Sequence, residues 1–548
     1  MLMNTLQKVL GHFLKKDKIV PSDQQTDVLR WVLEGNGSLE LLARAGCGKT
    51  FTLMLVVRAI VAARMGDVAL MAYNKKIADE LKLKLEELGF DWKVAQAGTV
   101  HSFGFSAWRK VAPSVRVDQN DDKVYDIIAD CALSQNGAIF TENAGVIRKL
   151  VGLGKQKAIG VTCSIEDDSV WMQLFDHHNL EDDITEMVSA DEIIRCAKRV
   201  YSISLKMCYD LIDFDDMILA PLYYKARFWK KKWVLVDESQ DTNDARRALA
   251  LAILDPNGGR MIFVGDDRQA IYGFTGADSD SMNQLKQATK AVTLPLNVTR
   301  RCPKLVVEMA KRLVPDFTAH HEAPEGTVRS INYDGLEVEG LNRDDAILCR
   351  NTAPLITTAY SLISKGIACH VEGREIGTGL IKLARRWKIK TLDSLLNKLD
   401  EFQTRETAKF LAKGQEEKIE RLVDQLGCLR VVIDRCLKQK KNMIDDLVHD
   451  IESMFGDTKP GERPKVLTLS TIHKSKGREW KRVYILGRSK YMPSPYAKKD
   501  WQMVQESNLE YVAITRAMSE LIDVSAPAGQ PAPQETTSIG MISSRNKG

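Results

Sequence analysis

Ala43-Arg44-Ala45-Gly46-Cys47-Gly48-Lys49-Thr50 is the stretch of this chain whose residue types and spacing could hold phosphate. Gly46, Cys47 and Gly48 form a turn in which backbone N–H groups can converge on one anion, ahead of an apolar segment at 51–60 that reads as a helix. Lys49 can then reach the β and γ phosphates of a nucleotide, and Thr50 can offer its hydroxyl to Mg2+. Ala43 stands where the general phosphate-loop pattern has its first Gly. The other half of such a site is an acid at the end of a second buried strand, and Lys232-Trp233-Val234-Leu235-Val236-Asp237-Glu238 supplies it. Asp237 is expected to hold Mg2+, directly or through water, and Glu238 to orient and deprotonate the attacking water. Alone, each motif could be a Gly-rich turn or a helix cap. Together they predict a Mg2+-dependent nucleoside triphosphatase.

Such residues need a scaffold that delivers strand ends to one place. Short apolar runs without alternation recur at Leu39–Ala43, Val68–Ala72, Trp233–Val236, 261–264, 346–349, 466–469 and 483–486. They suit strands buried on both faces, hence parallel sheets covered by helices. Helix-period segments lie between them, for example at 75–88 and 303–313, and the strands fall into two groups parted near residue 300. Residues 106–200 lack buried-strand runs and read as helical. Residues 380–464 are a charged helical block that opens on a basic cluster, Lys382, Arg385, Arg386, Lys388 and Lys390. The segment 525–548 is rich in Pro, Ala, Ser and Gly and is expected to be disordered.

Composition narrows the function classes. At 548 residues, 44% hydrophobic and 28% charged, the chain cannot be wholly disordered or fibrous, and roughly 150 residues per domain predicts three or four units. The net charge of +5 is too small for a general polyanion coat, so any nucleic-acid surface must be a local groove. Ten cysteines without a C-x-x-C pair predict reduced, buried thiols rather than zinc or disulfides. No run approaches 18 apolar residues and no signal peptide is visible, which predicts a soluble, cytoplasmic protein without a membrane partner.

Further motifs carry a resemblance. Asp213-Phe214-Asp215-Asp216, Val236-Asp237-Glu238-Ser239-Gln240-Asp241-Thr242 and the run from Val264-Gly265-Asp266-Asp267-Arg268-Gln269 to Ala277 are similar to segments of the UvrD/Rep/PcrA group of superfamily 1 helicases. So are Thr471-Ile472-His473-Lys474-Ser475-Lys476-Gly477-Arg478-Glu479-Trp480 and Tyr511-Val512-Ala513-Ile514-Thr515-Arg516-Ala517. They run in family order from about 21 to 522. The resemblance implies two RecA-like α/β cores, each interrupted by a helical insertion. The first core would comprise 1–105 and 201–295 around an insertion at 106–200. The second would comprise 296–379 and 465–524 around a shortened insertion at 380–464.

The resemblance also implies residue roles. Gln25 would read the adenine edge, with Gln24 the second candidate. Gln269 would sense the γ-phosphate, Arg301 and Arg516 would reach it as fingers, and Glu479 would lie near the ribose. Thr299-Arg300-Arg301-Cys302-Pro303 leaves open which of Arg300 and Arg301 is the finger. A single-strand track would use Tyr73, Asn74, Lys75, Thr99, His101, Ser102, Phe103, Tyr272 and Phe274, with Arg350 and His473 from the second core. Lys476-Gly477 and Gln269-Ala270-Ile271-Tyr272 resemble the 3′-to-5′ branch. The implied activity is an ATP-dependent DNA helicase acting on single-stranded and duplex DNA. The alternative is an accessory ATPase that strips proteins or recruits a nuclease or a replication or repair partner without unwinding alone. An RNA substrate is a third reading. With residue 548 so soon after Arg516, no nuclease domain is expected.

Overall fold

The structure is a computed structural model that describes residues 5–13, 18–72, 74–133, 137–178, 180–185, 188–271, 280–412, 416–456 and 466–527. It divides into two compact units, 1–299 and 300–548. The α/β class with parallel sheets is as expected. In the first unit six strands run parallel in the order Ala95–Thr99, Val68–Ala72, Trp233–Val236, Arg260–Gly265, Leu39–Ala43, Val292–Leu296. Val68–Ala72 and Trp233–Val236 are buried along their whole length, which is why neither alternates polar and apolar residues.

Local chemistry starts the helices around this sheet. Ser22 and Gln25 form a reciprocal capping box for the helix Asp23–Glu34, and Ser189 with Glu192 does the same for Ala190–Lys206. Thr99 caps Val100–Val111 through its hydroxyl, which accepts from Ser102 N–H at 3.1 Å.

The first helical segment consists of Lys123–Ala132, Gly137–Glu142, Ala144–Gln156, Asp168–His177 and Ala190–Lys206. The expected boundaries at 105/106 and 200/201 fall inside the helices Val100–Val111 and Ala190–Lys206, and a helix folds as one cooperative element. Nor is the segment a separate core. Ile147, Leu150, Trp171 and Tyr201 pack in the same buried cluster as Met71, Val234 and Phe263 of the sheet.

In the second unit seven strands run parallel in the order Thr327–Ile331, Ala517–Val524, Trp480–Leu486, Asp345–Cys349, Leu467–Thr471, Cys369–Glu372, Phe455–Gly456. The charged block forms the helices Arg374–Arg385, Leu392–Ala412, Glu416–Lys438 and Ile444–Met454. The expected boundary at 379/380 falls within the first of these helices, and 464/465 lies outside the described residues. Leu395, Leu429, Ile433 and Leu447 share a cluster with Ile347 and Leu469 of the sheet, so this block too extends the sheet's core. The edge strand Phe455–Gly456 carries its chain back onto the sheet beside Cys369–Glu372. Of the segment 525–548, residues from 528 onward lie outside the described residues. No disulfide joins the described cysteines, and among the described residues no helix is long and apolar enough to cross a membrane.

Candidate functional site

Parallel strands deliver all their carboxyl ends to one edge, and in the first unit that edge collects the predicted hydrolytic residues. The turn after Leu39–Ala43 places Gly46 at φ 69° and Gly48 at φ 80°, left-handed conformations that let the loop curl before the helix Lys49–Ala62 begins. Lys49 Nζ lies 3.2 Å from Glu238 Oε2, and Thr50 Oγ1 donates to Asp237 Oδ2 at 3.4 Å. A hydroxyl and a carboxylate so placed are hard oxygen donors of the kind Mg2+ takes. Cys47 is buried, with its thiol toward Ala45 O. Gln25 is buried beside this loop. Its Nε2 donates to Thr52 Oγ1 at 3.1 Å, and its Oε1 accepts from Ser22 N–H at 2.9 Å. Gln24 instead pairs twice with Asn297, donating to its side chain at 2.6 Å and accepting from its N–H at 3.1 Å.

The charges interlock. Burial, followed by the charge of Glu238, pushes the Asp237 carboxyl up to about 7. Burial alone would lower Lys49, but Glu238, Asp266 and Asp237 outweigh it and raise the ammonium above its ordinary value. Glu238 itself sits at φ 49°, a strained backbone position for a residue with a side chain.

The same edge holds the strand-track candidates of this unit. Asn74 caps the helix Lys75–Glu87, accepting from Ile77 N–H at 3.0 Å, and Lys75 is exposed. Thr99 and His101 are half-buried at the end of the edge strand, and Ser102 is exposed. Burial, then Arg246, lowers His101 to about 4, which favours the neutral imidazole at neutral pH. Phe103 is only 8% exposed and packs in the sheet's core with Met71, so its ring has no free face for a base. Tyr73, Tyr272 and Phe274 lie outside the described residues.

In the second unit the candidates separate to opposite edges of the sheet. Glu479 and Arg516 immediately precede the strands Trp480–Leu486 and Ala517–Val524, at the amino edge. Arg301 Nε lies 2.5 Å from Glu479 Oε2. Arg516 is fully buried and donates to Val512 O at 3.0 Å, Arg478 O at 3.0 Å and Thr515 Oγ1 at 3.4 Å. Burial, then Arg301, lowers it to about 10, which leaves it cationic at neutral pH. Arg300 is exposed. At the carboxyl edge, Arg350 follows Asp345–Cys349 and is anchored to the buried Glu506, 2.9 Å from Nη2 to Oε1. His473 follows Leu467–Thr471, and burial, then Arg350, lowers it to about 3.

Comparison with known families adds the deciding observation. Residues 23–290 match the model of the UvrD/REP helicase N-terminal domain, and residues 383–526 match that of the UvrD-like helicase C-terminal domain. The chain belongs to the UvrD/Rep helicase family. It is 22% identical to the ATP-dependent DNA helicase Rep of Salmonella typhimurium over 88% of each chain. It is 27% identical to Escherichia coli Rep over 48% of this chain and 39% of that protein. It is also 27% identical to UvrD1 of Mycobacterium bovis, where the match spans 47% of this chain and 35% of the relative.

Within this UvrD/Rep member, three residues without a role in the sequence reading tie the motifs together. Gln240 Nε2 donates to Glu238 Oε2 at 2.5 Å, and its Oε1 accepts from Asp266 N–H at 3.1 Å. A Cβ on Gly265 would meet that Oε1 at 2.5 Å, so the close approach needs glycine. Asp266, fully buried, accepts from Gln269 Nε2 at 2.7 Å and from Arg44 Nη1 at 3.1 Å; Arg44 also pairs with Asp267. A buried Arg in a phosphate loop was a legible anomaly, but its partners are 222 and 223 residues away. Arg44→Ala leaves the Asp266 carboxylate short of a cation and loosens Gln269. Hydrogen bonds to charged groups contribute about 1.5–3 kcal/mol, so steady-state ATPase assays should find kcat reduced about tenfold or more, with Arg44→Lys recovering part of it.

Proposed function

We propose that this protein is an ATP-driven motor that moves 3′-to-5′ along single-stranded DNA in the cytoplasm and separates duplex ahead of it. The supporting observation is the unbroken run of contacts Lys49–Glu238–Gln240–Asp266–Gln269, joining a phosphate loop to the loop that leads into Tyr272 and Phe274. Hydrolysis and strand grip then share one set of side chains. The oxygen donors of Thr50 and Asp237 fit Mg2+, whose role when bound is to neutralise the charge of the transferring phosphoryl group. Lys49 and the N–H groups of Gly46–Gly48 hold the phosphates, and Gln25 or Gln24 contacts the adenine. Glu238 accepts a proton from the attacking water, and Gln269 reports the γ-phosphate to its loop.

On this reading Arg301 and Arg516 are brought to the γ-phosphate when the two units close, with Glu479 toward the ribose. Each cycle of closing and reopening shifts Asn74, Lys75, Thr99, His101, Arg350 and His473 along the strand together with the rings at 73, 272 and 274. Because His101 and His473 are held neutral, they serve the strand as hydrogen-bonding groups rather than as phosphate counter-ions.

A strand-displacement assay on 3′-tailed, 5′-tailed and blunt duplexes tests this. Displacement confined to 3′ tails is expected. Displacement from 5′ tails alone reverses the polarity, and ATP hydrolysis without displacement on any tail leaves an accessory ATPase.

A further inference from the structure

The amino edge of the first sheet, opposite the nucleotide loops, carries two tryptophans that folding leaves in water. Trp92 is 54% exposed and Trp229 is 61% exposed, just ahead of the strands Ala95–Thr99 and Trp233–Val236. Their rings meet edge-on, with centroids 5.9 Å apart and planes at 84°. Lys93 Nζ lies 5.9 Å from the Trp92 ring, and Lys110 Nζ lies 5.4 Å from the Trp229 ring. Val94 and Val111, on the same segments, are 37% and 41% exposed. Arg227 and Lys230 flank Trp229 and are also exposed. The acid of these segments, Asp91, is turned to its own backbone, accepting from Lys93 N–H at 2.9 Å.

Indole is costly to leave in water, and a pair of half-exposed indoles next to exposed ammonium groups has a definite complement. A base offers a flat face to an indole whatever its sequence, while the phosphates on either side of it need cations. Here Trp92 with Lys93 on 91–94 and Trp229 with Arg227 and Lys230 on 227–230 set rings beside cations, and 109–111 adds Arg109 and Lys110. An edge-on pair leaves ring faces for a base, and excess positive charge selects a polyanion over a neutral apolar peptide.

We propose that Trp92 and Trp229, with Lys93 and Lys110, form a second contact for single-stranded nucleic acid, distinct from the strand track. A five-residue strand spans about 16 Å, so the patch lies that far across the sheet from the carboxyl edge. A separate stretch of strand can therefore occupy it while the track is filled, which would tether the motor between steps. The proposal goes beyond the motor reading and does not require unwinding.

The test titrates the full-length protein with oligothymidylate while following tryptophan fluorescence, and maps hydrogen exchange in the presence of the oligonucleotide. Wild type should show a second, weaker quenching event and protection at 91–94 and 227–230. Trp92→Ala/Trp229→Ala should remove both, and Lys93→Glu/Lys110→Glu should weaken the second event about tenfold or more, while ATPase at saturating DNA stays unchanged in both variants. Stacking contributes about 1–3 kcal/mol per base, so the loss is measurable. Absence of the second event in wild type, or its survival in the tryptophan variant, overturns the proposal. So does protection of these segments by an acidic peptide but not by oligothymidylate, which makes the patch a protein-docking surface. If DNA fails to stimulate wild-type ATPase, the motor reading fails while the quenching and exchange results still decide this one.

Discussion

Glu238→Gln should slow DNA-stimulated ATP hydrolysis by about a hundred- to ten-thousand-fold, the usual contribution of a positioned general base. The substitution is nearly isosteric. A glutamine in the same left-handed backbone position can keep hydrogen bonds to Lys49 and Gln240, so the loop need not rearrange. What it loses is the capacity to take a proton from water. Lys49→Ala removes instead the ammonium that three neighbouring carboxylates, Glu238, Asp266 and Asp237, hold protonated. It should abolish turnover by emptying the phosphate site. The two variants are separable by measuring nucleotide binding alongside single-turnover hydrolysis. Glu238→Gln should retain bound ATP and fail to cleave it, whereas Lys49→Ala should fail to retain it. Full stimulated turnover in Glu238→Gln would remove Glu238 as the base and leave Asp237 to be tested in its place.

The parts of this site that could be read from the sequence are those in which one short segment carries both chemistry and backbone context. The phosphate loop follows a buried strand and opens a helix, and Asp237-Glu238 ends another such strand, so neighbouring residues state where each group must lie. The parallel sheets were legible for the same reason, because buried runs without alternation suit few other arrangements. Boundaries were less legible. Residues 106–111 are helical like the insertion that follows, but Trp108 packs with Cys208, Ile212 and Met217, which a linear reading cannot see. Phe103 read as a track residue because it shares one motif with Thr99, His101 and Ser102, of which Ser102 is exposed and His101 half-buried. In a helix, though, neighbouring positions point about 100° apart, and 103 falls on the buried face. Arg44, Gln240 and Asp266 were unreadable as a set, since their contacts join segments that only the sheet order brings together.

Asp213-Phe214-Asp215-Asp216 shows how a motif can match a family for structural reasons, and it carries the largest expected effect on stability. Asp213 and Asp216 close a reciprocal turn, each accepting from the other's N–H, at 2.9 Å and 3.1 Å. Their carboxylates then grip two lysines of the helical segment. Lys155 pairs with Asp213 and lies 2.8 Å from Asp216, while Lys123 Nζ lies 2.5 Å from Asp216 and donates to Ser204 O at 2.8 Å. All four side chains are at most 8% exposed. Burial raises the Asp216 carboxyl, but Lys155 and Lys123 more than reverse this and hold it below its ordinary value. Two cations and two anions thus pair where each of their side chains is buried. Lys155→Met keeps the stem volume, deletes one cation and leaves two buried carboxylates sharing Lys123. Breaking a buried pair in this way costs about 3–5 kcal/mol. The chain has two units, so a single global unfolding energy is not the quantity to follow. Amide exchange in Ala144–Gln156 reads the local opening instead, and it should accelerate more than about a hundredfold. Lys155→Met/Asp213→Asn restores the balance of charge and should be less destabilised than the sum of its two single changes, the sign of coupling within one network. Strict additivity would mean that the two groups do not act as a pair, and would leave Lys123–Asp216 as the ion pair that joins the helical segment to this turn.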